Sequence, residues 1–136
     1  MSKRPHFLQP LLGRDTGSLD DWGLFAEGRE TPVASRLEGA FESKTRNRGL
    51  LGRSELPPGT ALIIAPSNAV HTFAMRFPID IVFASRDGAV VKIRAAVPKS
   101  RIAFALGGFA VIELGAGEIA RSGVRVGDRL TVRKTR

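Results

Sequence analysis

A histidine beside a carboxylate can take up or deliver a proton near neutral pH, and an arginine fork suits a carboxylate or phosphate ligand. In this chain of 136 residues the side chains fit for such chemistry are few: His71, Asp80, Glu113, Arg48 and Arg76, with the thioether of Met75 beside them. Together they form a candidate ligand-binding set for a small molecule, an anion or a peptide. Two of them also have a structural reading. His71 can be a satisfied core or rim histidine. Asp80, flanked by Ile79, Ile81 and Val82, is expected to be at least half buried, and a buried carboxylate needs a cation or several donors. It can equally lock backbone amides or pair with an arginine to fix a hairpin. A metal reading would combine His71 with Asp80 or Glu113 and Met75, a mixture of hard and soft donors, so no metal is assigned. The serines lack a G-x-S-x-G elbow, and the glycines form neither a dinucleotide fingerprint nor a phosphate loop, so no cofactor is indicated.

The elements that must position these residues read as β-rich. Residues 31–41 alternate loosely, with Gly39 at a bend, and Ser43 opens a short helix that Gly49 or Gly52 ends. Residues 60–66 form an apolar strand stopped by Pro66. An extended segment over 70–76 would put His71, Phe73 and Met75 on one face. Pro78 should start the next strand, with Ile79, Ile81 and Phe83 on one side and Asp80, Val82 and Ala84 on the other. Asp87–Gly88 signals a hairpin into residues 89–98. Further strands follow on either side of Gly107–Gly108, then a short helix over 117–122 stopped by Gly123, and a last strand over 129–133. The expected fold is α+β, mainly β: one compact antiparallel β-barrel or sandwich-like domain with two short helices. It should occupy residues 31–136, with residues 1–30 loosely ordered or disordered and Trp22 and Phe25 docked on the domain, or else on a partner.

Composition bounds the rest. A chain with 43% apolar and 25% charged residues is an ordinary single globular domain, and without cysteine it has neither disulfides nor a thiolate site. No run is long enough to span a membrane and the N-terminus does not read as a signal peptide, so the expectation is a cytoplasmic protein without membrane contact, a monomer or weak homodimer. The net charge is +8, of which residues 121–136 carry +5. That basic end raises attraction to polyanions, but the segment has no aromatic residue of its own for stacking on bases.

Several stretches, in this order, carry a resemblance: Arg48–Arg53, His71–Met75 running into Phe77–Asp80, Asp87–Val91, Val111–Gly117, and Gly127–Asp128. The chain resembles the bacterial and archaeal family of domain of unknown function 192 over residues 31–133. The resemblance implies a compact β-barrel-like domain, usually standing alone, sometimes behind a signal peptide, without an established activity. Many members carry a cysteine shortly before the histidine; Ser67–Asn68 stands there in this chain, which weakens a thiol or soft-metal site.

The functional expectation is a non-catalytic domain that binds a small molecule or peptide. Two alternatives remain. One is a basic-surface module for nucleic acid or acidic partners, using residues 44–53 and 121–136; the other is a hydrolase-like enzyme using His71 with a carboxylate.

Overall fold

The computed structural model describes residues 5–11, 17–48, 55–73 and 75–135. Its strands are β1 (Gly17–Leu19), β2 (Trp22–Ala26), β3 (Arg36–Ala40), β4 (Thr60–Ile64), β5 (Ala69–His71), β6 (Ile79–Ala84), β7 (Val90–Val97), β8 (Ile102–Phe104), β9 (Ala110–Gly115) and β10 (Leu130–Lys134). Two short helices join them, α1 (Ser43–Arg48) and α2 (Glu118–Ser122), and Gln9–Leu11 forms a single tight helical turn.

Six strands make the central sheet in the order β1-β3-β4-β9-β6-β7, while β2 pairs with β10 and β5 with β8 in two-stranded sheets. β1 and β7 remain its two edges, so the expected barrel is not closed. Nor is the sheet wholly antiparallel, because β3 and β4 run parallel, in register from Arg36↔Thr60 to Ala40↔Ile64. A parallel pair needs a crossover, and residues 41–59, including α1, supply it.

Alternation along the central strands builds a core on each side of the sheet. On one side Ala61, Ile63, Val82, Ala84, Ile112 and Leu114 pack with residues of β2 and β10 and with Ile119 of α2. On the other, Leu62, Ile64, Ile79, Ile81, Phe83 and Val111 pack with Val70, Ala103 and Ala105 around β5 and β8. The molecule is thus three β layers, with β2–β10 and β5–β8 as outer ribbons.

The described residues before β3 pack against the rest of the chain. Leu8, Leu11 and Leu24 are essentially inaccessible, Trp22 and Phe25 are buried, and β2 pairs along its full length with β10. The weak periodicity of residues 17–30 reflects a strand buried on both faces, whose five residues all lie inside. At Gly88 the hairpin needs a positive φ (91°), and any Cβ there would strike the Leu130 carbonyl of β10.

Candidate functional site

Asp80 is 1% exposed and each of its oxygens is committed. Oδ1 accepts the amide of Ala96 at 2.8 Å; Oδ2 accepts those of Gly117 at 3.1 Å and Ile119 at 2.8 Å. The local chain explains the pattern. Between Ile79 and Ile81, β7 advances from Val97 to Arg94, one residue more than β6, and the bulge contains Ala96 at a φ of 51°. A carboxylate on the facing strand satisfies its amide there. The same carboxylate caps α2, whose own N-cap, Gly117, has no side chain to do so. Asp80 thereby ties β6, the β7 bulge and α2 together through backbone donors.

The other sequence candidates fall in different places. Glu113 is 2% exposed and sits on β9 between Leu62 and Ile81 in register, on the face of the sheet opposite Asp80. Met75 is buried in the core beneath β5–β8, whereas Arg76 is exposed. Arg48 is the last residue of α1, and its side chain, like residues 49–54, lies outside the described set. The expected extended run over 70–76 ends at Thr72. That side chain, 1% exposed, donates to the Pro98 carbonyl at 2.6 Å and accepts the Arg101 amide at 2.9 Å. The chain turns there, with the Met75 amide donating back to the Thr72 carbonyl at 3.2 Å. Met75 therefore points inward, away from the surface that His71 and Phe73 share.

His71 stands on the outer face of the β5–β8 ribbon. It is exposed, lies opposite Ile102 in register, and stacks on Phe73 with ring centroids 5.4 Å apart. Beside it Phe73 is 46% exposed and Ile102 65%; further along the ribbon Phe104, opposite Ala69, is 57% exposed, and Leu106, in the turn that follows β8, 86%. Their small neighbours Ala103 and Ala105 are the ones turned inward. Cations line the ribbon. Lys92 donates to the Phe104 carbonyl at 2.7 Å with its ammonium 5.3 Å from that ring centroid, and Arg94, two residues on along β7, faces the same side. From Leu56 to Glu113 the carboxylates are Asp80 and Glu113, both buried, and Asp87.

The apolar outer face is the feature the sequence reading missed. The stretch Ile102–Leu106 alternates large apolar residues with alanine. Period two says that the two sets part, but not which set goes inside. The ribbon lies so close to Ile81, Phe83 and Val111 that alanine takes the inner positions.

At the basic C-terminal end, Arg133 lies 3.8 Å over the Phe25 ring and the Lys134 ammonium lies 5.7 Å from the Trp22 ring. Aromatic neighbours absent from the segment itself thus come from β2. Two open grooves, of about 430 Å³ beside Arg29 and Thr131 and about 600 Å³ beside Arg86 and Gly107, include none of the candidate residues. Among the described residues no three of His, Asp and Glu converge as a metal site would require.

The fold has solved counterparts. A Sinorhizobium meliloti protein described as a "putative transcription regulator" superposes with a TM-score of 0.74 at 23% identity, covering 88% of this chain and 98% of its own. A Novosphingobium aromaticivorans protein of unknown function gives 0.73 at 23% identity, covering 96% and 92% respectively. At that identity the likeness is one of fold. No curated protein matches the chain. The sequence profile of domain of unknown function 192 (DUF192, Uncharacterized ACR) matches residues 25–132, taking in every strand from within β2 to within β10, and the chain belongs to that family.

Proposed function

We propose that this protein is a non-catalytic binding domain whose recognition surface is the outer face of the β5–β8 ribbon, and that its partner is both apolar and anionic. One observation carries the reading: Phe73 and Ile102 beside His71, Phe104 further along the ribbon and Leu106 in the turn that ends it remain exposed, among cations. A contiguous apolar surface of this kind marks an interaction site more often than a chance of folding. In this reading His71 and Arg76 are contact residues, while Asp80 is spent on backbone amides and Met75 on the core. A proton-transfer pair of His71 with Asp80 finds no support, because the two occupy opposite sides of the central sheet.

The test uses anilinonaphthalene sulfonate, a small probe with an apolar ring system and one negative charge. The native protein should bind it, and Ile102→Ser combined with Phe104→Ser should weaken binding at least ~10-fold through lost apolar contact. Both variants lie on the surface, so a retained cooperative unfolding transition confirms that the fold is intact. Wild-type binding by that double variant would move the site elsewhere.

A further inference from the structure

Resting on that reading of the β5–β8 face, we infer that its partner is an anionic lipid surface, which the ribbon touches peripherally through Leu106, Ile102, Phe104 and Phe73. Three features favour lipid over other apolar anions. The first is shape. Leu106 is 86% exposed and Ile102 65%, so these side chains stand clear of their neighbours instead of lining a cleft. A small ligand held tightly and specifically sits in a concave pocket that buries most of it, whereas a fluid interface needs only side chains that project into it.

The second feature is composition. Single-stranded nucleic acid gains affinity by stacking bases on open aromatic planes. Here His71 is already stacked on Phe73, Lys92 sits over Phe104, and the most exposed residues, Leu106 and Ile102, are aliphatic. Aliphatic projections suit the acyl boundary beneath headgroups, and they are poor partners for bases.

The third feature is charge. Arg76, Lys92, Arg94, Lys99 and Arg101 belong to the segments that form or flank the ribbon. The carboxylates of the stretch from Leu56 to Glu113 are Asp80 and Glu113, both buried, and Asp87, which sits in the β6–β7 turn; Glu38, in register with Leu62 two strands further from β7 than Glu113, lies on the same face of the sheet as the ribbon. Such a field draws the ribbon toward anionic headgroups, each cation near the surface adding about 1 kcal/mol, or roughly a fivefold gain in partitioning. It also disfavours a second copy of the same chain, whose ribbon carries the same sign. No described helix is long and apolar enough to cross a membrane, and contact at the headgroup boundary requires none.

Vesicle co-sedimentation of the full chain tests the inference. Phosphatidylcholine vesicles are compared with vesicles in which about 30 mol% of the lipid is phosphatidylglycerol. The protein should sediment with the anionic vesicles and far less with the neutral ones, and added salt should weaken the association. Leu106→Ser, at a position too exposed to matter for folding, should lower partitioning about tenfold. Arg94→Gln and Arg101→Gln should each lower it roughly fivefold. Arg133→Gln is the charge-matched control, on the opposite side of the central sheet, and should leave partitioning near the wild-type value.

Absence of sedimentation with anionic vesicles, in a protein that still binds anilinonaphthalene sulfonate on this face, overturns the lipid assignment while the binding-face reading stands. Loss of both overturns the reading as well. Equal losses in Arg133→Gln and Arg101→Gln, with none in Leu106→Ser, would reduce the effect to net charge and overturn the inference. So would a single-stranded oligonucleotide that binds more tightly and displaces the protein from vesicles.

Discussion

Asp80 and the outer face of β8 obey the same rule of strand geometry and come to opposite ends. On β6, alternation carries a carboxylate into the interior, where three backbone amides exhaust it. On β8, alternation carries isoleucine and phenylalanine outward and alanine inward, leaving apolar side chains without cover. The residue type best known for chemistry has become scaffold, and the types best known for cores have become surface. Exposure that folding does not explain is therefore the better guide to function in this molecule. The comparison can be broken by substitutions that should strike one region and spare the other.

The largest effect belongs to Asp80. Asp80→Ala leaves the amides of Ala96, Gly117 and Ile119 without an acceptor, and Gly117 cannot replace the cap. Stability should fall by about 3–5 kcal/mol, read from urea unfolding, with Asp80→Asn losing less because one oxygen remains. Probe binding per folded molecule should not change. A variant that unfolds like wild type but fails to bind the probe would make Asp80 part of the site.

Much of this contrast was legible in the sequence at the level of elements. Pro78 starting a strand, the Asp87–Gly88 hairpin and Gly123 closing α2 all follow from local backbone preferences, and the structure places β6, the β6–β7 turn and the end of α2 there. The burial of Asp80 was legible too, since its neighbours are branched and apolar. Its partners were not: Gly117 and Ile119 lie some forty residues away, and amide donors leave no mark on a sequence. The parallel pairing of β3 with β4 was equally hidden, because short apolar strands look alike whichever way they run. The inward turn at Met75 depends on Thr72 meeting Pro98 and Arg101, residues with no local relation to it.

Thr72 joins the two regions and should give the next effect. Thr72→Val keeps the volume but removes the hydroxyl that serves the Pro98 carbonyl and the Arg101 amide. A loss of about 2 kcal/mol is expected. Unlike Asp80→Ala, it should also disturb the ribbon, so amide hydrogen exchange should quicken across β5 and β8 before the central sheet responds. Uniform quickening would mean that the ribbon and sheet form one cooperative unit, and the contrast between them would lose its energetic basis.

The outer face itself should be nearly silent in stability. His71→Ala removes an exposed ring that stacks on an exposed Phe73, and the cost should stay within about 0.5 kcal/mol. Binding of anilinonaphthalene sulfonate should nevertheless weaken, roughly threefold, as the stacked pair is broken. A destabilisation as large as that of Thr72→Val would return His71 to the scaffold.

The other histidine, His6, extends the comparison to pH. Its Nδ1 accepts the Leu8 amide at 3.2 Å, and its ring lies 4.8 Å from Phe109, over which Arg86 stacks at 4.7 Å. Burial first, and then the charge of Arg86, hold its pKa below 6.5. The folded state therefore binds fewer protons than the unfolded state near that pH. The stabilisation is complete above 6.5, declines as pH falls from 6.5 through the lower folded value, and changes no further below it. Asp87, whose pKa is lowered first by the Ser85 hydroxyl, acts in a separate window below 3.8. In thermal unfolding between about pH 7.5 and pH 5, His6→Asn should flatten the decline, since its amide oxygen can still accept from Leu8 without taking up a proton. The protection of the Leu8 amide, its exchange rate taken relative to the intrinsic rate at each pH, should fall over the same range in wild type, because a protonated ring cannot accept that amide. If His6→Asn left the slope unchanged, the contact between residues 5–11 and the core would not be what senses pH.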